Sequence, residues 1–132
     1  MIDIRILARE ADTDGRLAVV DEVVPPGFGP ELHVHDTFDE AFYVLDGVLT
    51  FQVGTVITRG PTYTWIWIPR RTPHTFANRS QQPARTLVLC VPAGFERHFD
   101  RLIARAGDRP EPAVRSAAEL GTHTVGPAIP DK

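Results

Sequence analysis

The sequence predicts an all-β domain, a barrel or sandwich of short strands, followed by one or two C-terminal α-helices. Two observations carry this reading. Short runs rich in β-branched and aromatic residues recur roughly every 8–12 residues up to Val91, most of them closed by Gly or Pro. After Pro92 the apolar period changes from two to that of a helix.

The elements follow in order. Ile2, Ile4 and Ile6 alternate with Asp3 and Arg5, the pattern of a half-buried strand over residues 2–7. Asp12-Thr13-Asp14-Gly15 reads as a turn. A second strand over 17–24 stops at Pro25-Pro26, because proline has no N–H to give to a ladder. After the Pro25–Pro30 loop, strands are expected at 32–35 and 40–45. Asp46-Gly47 reads as a hairpin turn that pairs Val48–Val53 back, since glycine takes positive φ without steric cost. Strands at 55–58, 64–68, 72–77 and 86–91 complete the β region, with a terminal strand at 122–125. Phe95, Phe99, Leu102, Ile103 and Ala106 fall at helical spacing, with Gly107 placed to cap a helix laid across the open side of the barrel. Pro112 opens a shorter helix through Val114, Ala117, Ala118 and Leu120 that ends at Gly121. With no internal repeat, residues 1–132 read as one domain, with a barrel core over about 16–92 and a helical segment over about 93–121.

Composition narrows the function classes. A chain of 132 residues with a formal net charge of -3 has no basic excess with which to neutralise a nucleic-acid backbone, so no nucleic-acid partner is expected. No apolar run approaches the roughly 20 residues that a membrane helix needs, and the N-terminus lacks a signal-peptide pattern. The single cysteine, Cys90, cannot form an internal disulfide and reads as a buried small hydrophobe. A soluble, cytoplasmic protein without a membrane partner is the expectation.

The chemistry concentrates in residues 27–47. His33 and His35 are two apart on a strand and therefore share a face. Glu40 returns to the same point from the next strand after the polar stretch Asp36–Asp39. Imidazole and carboxylate together suit one divalent transition metal ion: Fe, Mn, Ni, Cu or Zn. A fourth donor is then expected on a later strand, and His74 supplies it. Any one of these histidines alone reads as an ordinary core or surface residue. The four together point to a metal site with positions left for water, O2 or substrate, in which Glu40 is also the candidate catalytic residue.

These residues carry a family resemblance. Gly27, His33, His35, Glu40 and Gly47 stand in the register of the first cupin motif, and Pro69-x-Arg71-x-x-His74-x-x-x-Asn78 resembles the second. Two positions depart from the second motif: Arg71 and Tyr63 stand where glycine is usual. Over roughly residues 16–92 the chain resembles the cupin superfamily, and its tail Gly126–Pro130 is similar to those of small quercetinase-like monocupins. The resemblance implies a double-stranded β-helix (the cupin jelly-roll barrel), the ligand set His33, His35, Glu40 and His74, and a quercetin 2,3-dioxygenase-like activity. It also implies a homodimer, whose partner would cover the sheet edge at Ile2–Leu7.

Phe42 shares a face with Glu40, and Phe51, Trp65, Trp67 and Phe76 are further candidates for the wall of a substrate pocket. Such a lining suits a planar phenolic or polyketide-like small molecule, although each ring singly reads as core. Thr72, Thr75 and Asn78 lie close enough in sequence to hydrogen-bond the ligands, or serve simply as turn residues. Arg71 leads us to expect an altered turn before His74, with its guanidinium at the cavity mouth or in solvent. His98 reads as a surface or lid residue and His123 as exposed. Three functions fit: a metal-dependent dioxygenase; a non-redox isomerase or polyketide cyclase using the metal as a Lewis acid; and a non-catalytic module binding a metal or small ligand. The complete ligand set favours catalysis. With no helix-turn-helix region before the barrel, a transcriptional regulator is not expected.

Overall fold

Two five-stranded antiparallel sheets face each other, and the apolar sides of their strands fill the space between them. The computed structural model describes residues 2–104, 118 and 120–130. In chain order the elements are β1 (Asp3–Ala8), α1 (Glu10–Thr13), β2 (Ala18–Val24), β3 (His33–His35), β4 (Asp39–Asp46) and β5 (Leu49–Val53). Then come β6 (Val56–Gly60), β7 (Trp65–Ile68), β8 (His74–Ala77), β9 (Ala84–Val91), α2 (Glu96–Ala104) and β10 (Thr122–Thr124). One sheet runs β1-β2-β9-β4-β7 and the other β10-β3-β8-β5-β6. This is the predicted double-stranded β-helix with a helix after it. The helix expected to open at Pro112, and the cap at Gly107, lie outside the described residues.

The order corrects the expected hairpin at Asp46-Gly47. β4 pairs with β7 and β9, whereas β5 pairs with β6 and β8, so the chain crosses between sheets there. Gly47 has φ 81, and a Cβ on it would meet Ala84 Cα and the Pro83 carbonyl at 3.0 Å. Glycine therefore serves a tight crossover against β9 and not a two-residue turn. The expected turn at Asp12–Gly15 is a short helix that ends in left-handed Asp14 and Gly15.

Residues paired across neighbouring strands share a face, so the register defines layers. Phe51 pairs with Phe76 across β5 and β8, and Phe42 pairs with Val88 across β4 and β9. Across the gap between sheets, Phe42 lies 5.2 Å ring to ring from both Phe51 and Phe76. Gly60 makes room for this layer: a Cβ there would lie 2.6 Å from the Phe51 ring. Truncating one such phenylalanine to alanine costs about 3–5 kcal/mol.

α2 closes one end of the barrel. Phe95 just before it and Phe99 within it are buried, and charged pairs tie the helix to the first turn of the chain. Arg9 holds Asp100 with contacts of 2.7 and 2.8 Å, Arg97 reaches Glu10 at 2.8 Å, and buried Glu96 accepts the N–H groups of Gly94 and Glu10. No helix among the described residues is long and apolar enough to cross a membrane.

One inward residue breaks the apolar pattern. Glu22 sits between Ile4 and Thr86 in the sheet, is buried, and has a carboxylate oxygen with no hydrogen-bond partner among the described residues. Burial pushes it up to about 8, and repulsion from Glu40 and Asp21 adds to the shift. The folded state therefore keeps a proton that the unfolded chain gives up near 4.5, and stability falls as pH rises from there through about 8. Glu22→Gln is expected to match the parent in urea unfolding at about pH 4 and to exceed it by on the order of a few kcal/mol at about pH 9. A difference that does not change with pH would show that the carboxylate is satisfied in the fold.

Candidate metal centre

Four side chains from three strands converge at the end of the barrel beside α2. β3 turns His33 and His35 inward, β8 contributes His74 opposite His33, and β4 brings Glu40 from the facing sheet. One ligand atom from each lies within 4.8 Å of all the others. Neighbouring imidazole rings are 4.5–5.0 Å apart between centroids. His35, Glu40 and His74 are buried, and His33 is half-buried, which sets the open side of the cluster at His33.

The outward nitrogens are already committed. His33 Nδ1 lies 2.7 Å from the Glu31 carbonyl and His74 Nδ1 lies 2.8 Å from the Thr72 carbonyl. Carbonyl oxygens only accept, so both nitrogens carry the proton and both Nε2 atoms present lone pairs inward. His35 Nδ1 is 2.6 Å from Thr122 Oγ1, and its buried Nε2 has no hydrogen-bond partner among the described residues. Glu40 Oε1 lies 2.9 Å from His74 Nε2 and 3.4 Å from His35 Nε2. Lone pairs and a carboxylate aimed at one point repel unless a cation lies between them. The donor set, the tautomers and the orphaned His35 nitrogen all fit a divalent metal ion.

Without a metal, a proton takes that place. Burial alone would raise Glu40, but the charges of His35 and His74 and the His74 hydrogen bond outweigh it and hold the carboxyl well below the usual range. Burial lowers His74, but the Glu40 hydrogen bond and charge more than offset this, and the net shift is upward. His33 is pushed down to about 4, first by burial and then by the neighbouring imidazoles. Cys90 is the register partner of Glu40 on β9, and burial pushes its thiol well up, as expected of a buried hydrophobe.

The expected aromatic residues divide. Phe42, Phe51 and Phe76 are buried one layer beneath the ligands, two residues along β4 and β8 from Glu40 and His74. Trp65 and Trp67 are not in the interior. They are 53% and 47% exposed on the outer face of β7, and Ile66 and Ile68 take the inner positions. In a run apolar at every position, alternation defines two faces without saying which is inside.

Three partners of the site gave no local signal in the sequence. Phe38 stacks on His35 at 4.3 Å, Phe95 lies 5.0 Å from the same ring, and Thr122 arrives from β10. Thr75 and Asn78 do not touch the ligands: they bond to the Pro30 carbonyl and to the Val24 and Gln82 carbonyls. Thr72 contributes through its carbonyl. His98 is buried against Phe95, a correction to its reading as a surface residue, and burial pushes it down to about 4. His123 is exposed beside Asp36 at 3.0 Å.

The turn before His74 keeps the geometry of glycine despite Arg71. Arg71 has φ 65 and Tyr63 has φ 73, both left-handed. The Arg71 N–H donates to the His35 carbonyl at 2.7 Å, which fixes the loop directly over β3. Left-handed backbone at a residue with a Cβ costs about 1–2 kcal/mol.

Comparison with known proteins agrees with this fold. Similar crystal structures include TT1209 from Thermus thermophilus, at 24% identity and a TM-score of 0.62 over 69% of this chain and 83% of that one. KdgF from Halomonas sp. is similar at 19% identity and a TM-score of 0.66, over 73% and 83% of the two chains. A predicted oxalate decarboxylase from Thermotoga maritima is similar at 16% identity and a TM-score of 0.66, over 69% and 80%. These likenesses show the fold. No curated protein matches the chain. The Cupin_2 family, described as cupin domain, matches residues 20–91, more than half the chain and all of the ligand-bearing strands. The protein belongs to the cupin family.

Proposed function

We propose that this cupin is a metal-dependent enzyme, a quercetinase-like dioxygenase acting on a small aromatic or phenolic molecule. The observation that carries the proposal is the complete set of four donors, with every Nδ1 tied and the inner nitrogens facing Glu40. A divalent ion held by His33, His35, Glu40 and His74 would supply Lewis acidity and, if redox-active, electron exchange with dioxygen.

The chain's own residues do the rest. Glu31, Thr72 and Thr122 orient the imidazoles, and Phe38 and Phe95 keep water from the His35 side. Glu40 would hold the ion, and a carboxylate beside a metal could also accept a phenolic proton. The phenylalanine layer of Phe42, Phe51 and Phe76 gives the site an apolar floor suited to a planar ring. Arg71 is exposed on the loop above His35, where its guanidinium suits a phenolate. The unpaired Cys90 accords with a cytoplasmic setting.

Two measurements test this. Elemental analysis is expected to give close to one transition-metal ion per chain, lost in His74→Ala. Affinity is expected to weaken as pH falls through the His74 titration, which lies above 6.5, because the proton and the metal compete for Nε2. Metal that stays bound in His74→Ala would place it elsewhere. Oxygen uptake with a flavonol is then expected from the loaded protein and to drop by a factor of about 100 or more in Glu40→Gln. Metal at full occupancy with no uptake across a flavonol and catechol series would instead favour the non-redox isomerase or cyclase chemistry.

A further inference from the structure

The strand that brings two of the four ligands to the centre is held along one edge by a segment far along the chain. β3 is three residues long and meets β8 at a single register pair, His33 with His74. Its other edge is covered over its whole length by β10: Thr122 lies opposite His35, His123 opposite Val34 and Thr124 opposite His33. Backbone bonds extend this pairing beyond both ends. The Asp36 N–H donates to the Gly121 carbonyl at 2.9 Å, the Val125 N–H to the Leu32 carbonyl at 2.8 Å, and the Leu32 N–H to the Pro127 carbonyl at 3.2 Å. A slip of one residue on β3 would turn His33 and His35 outward. Most of the pairing that opposes such a slip comes from residues 121–127.

The same segment carries the side-chain partner of His35, Thr122 Oγ1, at 2.6 Å from Nδ1. This contact differs in kind from those of the other two histidines. A carbonyl only accepts, so Glu31 and Thr72 hold His33 and His74 in one tautomer with or without an ion. A hydroxyl can donate or accept, so Thr122 leaves the His35 tautomer open. The His35 Nε2 is buried and has no hydrogen-bond partner among the described residues. An ion bound there puts the ring proton on Nδ1 and makes Thr122 the acceptor. Metal and strand therefore act on the two nitrogens of one ring. Little else fastens the segment: among residues 120–130 only Thr122 and Ile129 are buried. The exposed pair of His123 and Asp36 at 3.0 Å adds little. A segment held mainly by backbone bonds opens more readily than the core.

We propose that β10 is a clasp of the metal centre, with Thr122 the positioning residue through which metal binding and docking of residues 120–130 are coupled. A bound ion tightens the clasp and an open clasp weakens the ion by the same factor, because coupling between two binding events is reciprocal. This coupling rests on the reading of His33, His35, Glu40 and His74 as a metal site. It goes beyond the orientation of one ring, since it makes the hold of a distant segment a determinant of metal retention. It requires no particular substrate or reaction.

Calorimetric titration of the full chain with Ni(II), beside hydrogen exchange read by mass spectrometry with and without saturating Ni(II), tests the coupling. In the parent, exchange over residues 120–130 is expected to slow about tenfold or more on loading, while β6, at the far edge of the same sheet, changes by less than about twofold. Thr122→Val is expected to raise the Ni(II) Kd roughly 10–100-fold and to remove most of that slowing. Thr122→Ser keeps the hydroxyl and is expected to stay within about threefold of the parent. His123→Pro interrupts the pairing with Val34 and leaves the Thr122 side chain in place, and it is expected to raise Kd about tenfold as well. Exchange over 120–130 that ignores Ni(II), Kd values in Thr122→Val and His123→Pro equal to the parent's, or Thr122→Ser as weak as Thr122→Val would overturn the clasp and leave the metal site standing. A parent that binds no Ni(II) would overturn both.

Discussion

A buried carboxylate that must stay ionised organises this barrel. Glu40 lies on one sheet and the three imidazoles on the other, so the contact between them is a polar tie across the apolar space that separates the sheets. An unpaired carboxylate there would cost several kcal/mol. The cost is offset only if β3, β4 and β8 keep their register, because a slip of one residue turns every ligand outward. The same register places the phenylalanine layer directly beneath the ligands and Phe38 beside His35. Site and core are in this sense one construction.

The barrel holds a second buried glutamate with the opposite outcome. Glu22 and Glu40 are both buried on the inner face of the same sheet. Imidazoles surround one, and its carboxyl is held low; the other lacks such neighbours, and burial raises it. The difference lies in what each faces across the barrel, since backbone position and burial are alike. Glu40 also acts on Glu22, for its negative charge helps keep the proton there.

How much of this was legible in the sequence depended on whether a local rule decides the question. The ligands were legible because His33 and His35 alternate on a strand and Glu40 and His74 stand in a fixed motif register, with His74 paired opposite His33. The strands were legible because Pro and Gly interrupt them. Asp46-Gly47 misled because positive φ serves a sheet crossover as well as a hairpin, and only Ala84 and Pro83 from a distant strand decide between them. Trp65 and Trp67 misled because every residue from Trp65 to Ile68 is apolar, so the pattern carries no inside and outside. Thr122 and Phe95 reach His35 from segments far along the chain, and no spacing rule announces such contacts.

The two glycine positions of the second motif show how a departure in sequence and a retained geometry coexist. Arg71 and Tyr63 both keep the left-handed backbone, so the loops around β7 keep their path while each position gains a side chain. Arg71 stays left-handed because its N–H is needed on the His35 carbonyl: a relaxed φ would withdraw that donor and shift the strand entry to His74. The strain is thus carried by the surrounding fold, through β3 on one side and the β4–β7 pairing on the other. What each position gains differs. Arg71 adds an exposed side chain to the loop held on β3, and Tyr63 adds a ring to the outer aromatic face. One backbone solution, kept against the preference of its residues, thus holds the loop on each side of β7.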